Sequence, residues 1–182
     1  MNEIDIRNKI AVERISKINE GIMKSFDNIM FQQNKMDNKA FIFIGFLSVL
    51  LGVINKEQIL NTPINWILGI TIFILALSQI PLTSKLSTSI LNLVIKRELE
   101  FKHNIFYYTD LCGMEIELFK EVLQKEYQVA YLTNFEIKLM EQILINANIL
   151  KLKVFCHNLA YTVLFGGIFI VAIFAFIKHL FF

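Results

Sequence analysis

Three stretches of the chain are predominantly apolar and free of charge: residues 40–54, 64–82 and 159–177. An α-helix rises ~1.5 Å per residue and a bilayer core is ~30 Å thick, so about 20 helical residues are needed to cross it. The second and third runs have 19 residues each and meet that length. The first has 15 and reaches it only by taking in Asn38 and Lys39, or Asn55 and Lys56, whose lysines can snorkel to the headgroups. Asn55, Asn61, Pro63 and Asn65 mark a turn between the first two runs, Trp66 falls where an indole settles at a membrane interface, and Pro81 closes the second run. The pattern predicts a transmembrane helical hairpin over 40–82 and a C-terminal transmembrane helix over 159–182.

The polar remainder follows a different period. Within 4–31, Ile6, Ile10, Ile15, Ile18, Ile22, Phe26 and Ile29 recur at gaps of three to five, which lays one apolar stripe along a helix whose other face is charged. Such a stripe must be covered, either by the second polar piece or by another copy of the chain. Gly21 reads as a weak point in this helix. Over 83–103, Leu86, Ile90, Leu93 or Val94, and Phe101 share a helical face, and Thr109 or Asp110, near Gly113, predicts a loop feeding a helix with Ile116, Phe119, Val122 and Leu123 inward. From Tyr131 no Gly or Pro occurs before Gly166, and Phe135, Leu139, Ile143, Asn146, Ile149 and Phe155 keep the helical period, so one long helix over 131–177 is expected. The fold class read from this pattern is all-α: three transmembrane helices with a cytoplasmic helical bundle formed by the N-terminal segment 1–39 and the central segment 83–158.

Charge sets the orientation. Seven of the 18 Lys and Arg lie in 1–39 and nine in 83–158, against Lys56 alone in 55–63 and Lys178 alone after the third run. Basic residues collect on the cytoplasmic side, so both long polar pieces belong there. Six acids within the first 39 residues argue against a secretory signal. With 55% hydrophobic and 19% charged residues the chain is shifted toward lipid, 2 Cys exclude a disulfide scaffold, and a net charge of +2 gives no field for duplex nucleic acid.

Catalytic chemistry finds little purchase. His103, His157 and His179 are scattered, Cys112 is alone, and adjacent Cys156 and His157 point to different faces of a helix. Only Gly21 and Gly113 lie outside the apolar runs, too few for a phosphate-cradling loop. Neither an enzyme nor a metal or cofactor is expected. One cluster stands apart: Lys96, Arg97, Lys102, His103, Tyr107, Tyr108 and Asp110 fall within 15 residues. Rings stack on a base and cations pair with phosphate, so Arg97, Lys102, Tyr107, Tyr108 and Asp110 are candidate ligand-binding residues. The same set also describes a basic, tyrosine-anchored face against anionic lipid.

Two stretches carry a resemblance. Met36-Asp37-Asn38-Lys39-Ala40 running into FIFIGFLSVLLGVI resembles the Asp-x-Lys-Ala approach to the first span in the membrane effectors of bacterial cyclic-nucleotide antiphage systems, the Pycsar effector family. Phe106-Tyr107-Tyr108 and Asp110-Leu111 before an acidic amphipathic helix look like that family's aromatic loop, and the similarity covers roughly 35–176. Asp37 and Lys39 are the residues matched to the family motif, while 1–34 falls outside the pattern as an extra helix. The resemblance implies a multi-pass protein of the bacterial inner membrane, switched on by a cyclic nucleotide or its signalling partner. It then impairs membrane integrity as a homo-oligomer, an abortive-infection response. The alternative reading is a non-toxic membrane scaffold or adaptor that docks a cytoplasmic partner protein.

Overall fold

The computed structural model describes residues 3–57, 63–80, 108–128 and 131–181, with the side chains of 12–54, 63–80, 108–128 and 131–177. All regular structure among the described residues is helical: α1 (Glu3–Glu57), α2 (Pro63–Leu77), α3 (Tyr108–Leu111), α4 (Ile116–Tyr127) and α5 (Asn134–Phe181). The chain divides into two compact units, one of Met1–Gln33 with Leu82–Lys151 and one of Asn34–Pro81 with Leu152–Phe182. Both long helices, α1 and α5, contribute their first part to the first unit and their second part to the other. The amphipathic helix and the first apolar run are therefore one helix, uninterrupted where polar sequence gives way to apolar at 39–40.

In the first unit, α1 buries Ile18, Ile22, Ser25, Ile29 and Gln33, a line at gaps of four and three. This is the predicted stripe turned slightly about the helix axis, because Ile15 is 45% exposed while polar Ser25 and Gln33 face inward. Ile6 and Ile10 lie outside the described side chains. The stripe is thus covered within a single chain. The buried hydrophobic residues of this unit outside α1 include Leu111 and Met114, Phe119 and Leu123 on α4, and Met140, Ile143, Leu144, Ala147 and Leu150 on α5. Buried Gln33 donates its side-chain amide to the Asn146 carbonyl at 2.8 Å, and the Asn146 amide in turn approaches the Met30 sulfur at 3.6 Å. A buried polar side chain without such partners would lose about 1–3 kcal/mol.

Phe135, which keeps the helical period, is 69% exposed, and the buried line on α5 starts at Glu136. The cause is a capping box: the Thr133 amide and hydroxyl both donate to the Glu136 carboxylate, and the Glu136 amide returns to the Thr133 hydroxyl at 3.3 Å. Neither Thr109 nor Asp110 caps α4. They belong to α3, the Thr109 hydroxyl donates to Asp110, and Glu115 precedes α4 without a side-chain cap. The turn between α3 and α4 is made by Gly113 at φ +77°, whose amide donates to Asn148 on α5 at 2.9 Å.

Gly21 lies inside an unbroken α1. A Cβ there would fall on the Tyr127 hydroxyl at the end of α4, so the glycine admits a close approach between helices. Burial, helped by Glu126 and Glu20, pushes the Tyr127 phenol up, so it stays protonated. Alanine at this position would gain about 0.5–1 kcal/mol of helix propensity against about 1–3 kcal/mol of overpacking. Gly21→Ala is therefore expected to lower the thermal midpoint of purified protein. Combining it with Tyr127→Phe, which removes the clashing hydroxyl, should return most of the loss; an unchanged midpoint in the single variant would show that Tyr127 simply moves aside.

The second unit is built on an apolar seam. Leu47 of α1, Leu68 and Leu75 of α2, and Ala160 and Leu164 of α5 form its core, with Phe43, Ile44, Ile67 and Ile72 among the partly buried residues around it. The outward faces are apolar as well: Phe41, Ile42 and Phe46 on α1, Phe73 on α2, and Phe165, Phe169 and Phe174 on α5 are all exposed. Helices apolar on every side belong in a core or in lipid, and among the described residues these outer faces are exposed. Two helices, over Val12–Ile54 and Asn134–Ile177, are long and apolar enough to cross a bilayer. The second run departs from expectation. α2 has 15 residues, roughly 22 Å at ~1.5 Å each, and ends at Leu77 rather than reaching 82. Beyond it the Ser78 hydroxyl bonds the Leu75 carbonyl at 2.6 Å and the Ile80 amide turns back to Leu77 at 3.2 Å. Proline at 81 has no amide with which to continue the ladder.

Candidate functional site

The second unit holds one concentration of charge. Asp37 lies on α1 just ahead of the apolar stretch that begins at Ala40, and Lys153 on α5 lies six residues ahead of the one that begins at Leu159. The Lys153 ammonium donates to both carboxylate oxygens of Asp37, at 2.6 and 2.7 Å, and the two side chains are 14% and 28% exposed. Short charge-assisted bonds in a partly dehydrated place are stronger than surface pairs, whose median contribution is about 0–1 kcal/mol. Lys39, two residues on, is exposed.

From Lys153 a column runs up α5 at four-residue intervals, the spacing that stacks side chains on one helical face: His157, Tyr161, Phe165. His157 is 2% exposed, and its Nε2 is buried with no hydrogen-bond partner among the described residues. Its ring meets Tyr161 edge-on at 6.3 Å, and Tyr161 meets Phe43 of α1 edge-on at 5.3 Å. His157 lies two residues ahead of the apolar run 159–177. Burial pushes its imidazole below the ordinary value, Asp37 opposes that, and Lys39 and Lys153 reinforce it. The ring is accordingly neutral near pH 7.

The residues matched from sequence fare unequally. Asp37 acquires a partner, Lys153, that sequence reading treated only as one more basic residue, and His157, set aside as scattered, joins them. The two ends of the ion pair are 116 residues apart, so no local pattern joins them. The one available signal was Lys153 and His157 at i, i+4 immediately before an apolar run. Arg97, Lys102 and Tyr107 lie outside the described residues. Tyr108 and Asp110 are half-buried on α3 in the first unit, anchored by buried Leu111 and by the Gly113–Asn148 bond. Burial pushes the Cys112 thiol up, with Lys151 pulling weakly the other way, which keeps it protonated and a poor nucleophile. Among the described residues no three His, Cys, Asp or Glu side chains gather as a metal would require.

Long helices with apolar outer faces and an ion pair where those faces begin define a helical membrane protein. A family model described as the Pycsar effector protein domain matches residues 22–178, and the chain belongs to that family. No curated protein and no solved structure matches it. The match starts at 22, so part of the N-terminal helix expected to fall outside the family pattern lies within it. The protein is a membrane-associated effector of cyclic-nucleotide antiphage defence.

Proposed function

We propose that the chain is a three-pass protein of the bacterial inner membrane with segments 1–39 and 83–158 in the cytoplasm. On a cyclic nucleotide signal it assembles with further copies and impairs membrane integrity, without turning over a substrate. The observation that carries this reading is the second unit, apolar inside and out on three helices, in a chain of the effector family. α2 is short for a bilayer, a mismatch that local thinning and polar ends can absorb at fractions of a kcal/mol per Å. The ligand is read by Tyr108 under a base, with Asp110 beside it and Arg97, Lys102 and Tyr107 supplying phosphate and ring contacts. The signal then travels along α5, which no proline interrupts between Asn134 and Phe181.

Topology is tested by reporter fusions at Gln58 and Phe182, both expected to read as external; a cytoplasmic reading at Phe182 removes the third span. Function is tested by entry of a membrane-impermeant dye into cells expressing the protein, with and without a cyclase. Signal-dependent entry is expected, and its absence under every signal favours a scaffold. Assembly is probed at Ile15, whose side chain is exposed, by Ile15→Asp; Ile22, buried within the chain, would report on folding instead.

A further inference from the structure

His157 is a titratable side chain enclosed beside an ion pair, and nothing in the effector reading uses it. Its ring meets Tyr161 of its own helix, and the charges that act on it are Asp37 and the exposed Lys39 from α1 and Lys153 from α5. α2, the third helix of the unit, contains no charged residue. In the neutral state one carboxylate is held by one ammonium through two short bonds, with an uncharged ring beside them. A proton on the imidazole changes this in two ways. In the imidazolium both ring nitrogens are N–H donors, and Nε2 has no partner among the described residues. A further cation also enters a place where Lys153 already holds the Asp37 carboxylate and where Lys39 and Lys153 both oppose a proton on the ring.

We propose that Asp37, Lys153 and His157 form a proton-sensitive latch that holds α1 to α5 and opens when the cytoplasm acidifies. The imidazolium resolves its burial either by competing with Lys153 for Asp37 or by admitting water between the helices. Both outcomes loosen the pair that joins them. The inference rests on the membrane-effector reading, and within it the latch has a consequence: a leak that admits protons acidifies the side bearing the latch and opens further copies, so damage amplifies itself.

The test uses the full chain in sealed vesicles of phosphatidylethanolamine and phosphatidylglycerol, with two readouts between about pH 7.5 and about pH 5.5, the window in which imidazole titrates. The first is release of a trapped dye. The second, independent of any leak, is the distance between spin labels at Lys35 and Asn158, both exposed, in a background with Cys112 and Cys156 replaced. Wild type is expected to lengthen that distance and to release dye faster on acidification, by at most about tenfold per pH unit, the limit for one proton. His157→Gln and His157→Phe, each checked for retained helix content, should show neither response, whereas His179→Gln should keep both. Lengthening without dye release leaves the latch standing and removes the leak from the effector reading. Dye release with an unchanged distance, or acid responses that persist in both His157 variants, overturns the latch.

Discussion

Lys153→Met is expected to lower the apparent thermal midpoint more than any other single substitution among the charged residues, and Asp37→Asn combined with it is expected to recover most of the loss. Removing the ammonium alone leaves the Asp37 carboxylate, only 28% exposed, without its two short donors. Fully buried pairs broken from one side lose about 3–5 kcal/mol; with partial exposure the expected figure is about 2–3 kcal/mol. Replacing both members by neutral groups removes the uncompensated charge, so the coupling in a double-mutant cycle should reach about 1.5 kcal/mol or more. Thermal unfolding in detergent, followed by far-ultraviolet circular dichroism, reads all four proteins. Additive single losses would show that the two side chains meet without supporting each other. The pH dependence has a definite sign. Because burial holds the His157 imidazole below its ordinary value of 6.5, its contribution to stability is fully present above that pH and is lost as pH falls toward the folded value.

The second large effect is expected at Gly167. A Cβ there would lie 2.8 Å from Ile67 Cδ1 and 2.9 Å from Cγ1, whereas one at Gly166, its neighbour, would meet nothing within 4 Å. Gly167 is thus the point at which α5 approaches α2 closely, the use of small residues that membrane helices favour. Gly167→Leu should separate the two helices and destabilise the second unit by about 1–3 kcal/mol, while Gly166→Leu, directed outward, should be near neutral. Ile67→Ala placed behind Gly167→Leu should restore part of the loss. Equal effects at both glycines would mean that the α2–α5 contact does not depend on this position.

Much of this was legible beforehand, and the reasons are local. Helix rather than strand followed from the three-to-four spacing of apolar residues and from apolar runs too long for strands. The family was legible in Asp37-Asn38-Lys39-Ala40 ahead of the first run, and the long uninterrupted α5 in the absence of Gly and Pro from 131 to 165. The start of α5 was readable in the capping-box spacing of Thr133 and Glu136, but the apolar period does not tell that Phe135 is exposed. A period fixes which residues share a face only to within part of a turn, and a neighbouring element decides the rest. That is why the α1 stripe turned to expose Ile15 and to bury Ser25 and Gln33.

By itself the sequence determined the class of structure, the places where lipid can be met, and the family, because hydrophobic period, run length and a short motif are all properties of neighbouring residues. The tertiary structure alone decided three things: that Asp37 pairs with Lys153 across 116 residues, that His157 is enclosed beside them, and that Gly167 rather than Gly166 carries a helix contact. Adjacent glycines differ by about 100° around a helix, and neither segment of a distant ion pair names its partner in the other. Such pairings come into being only when packing brings the two helices side by side and excludes enough water to make the charges depend on each other.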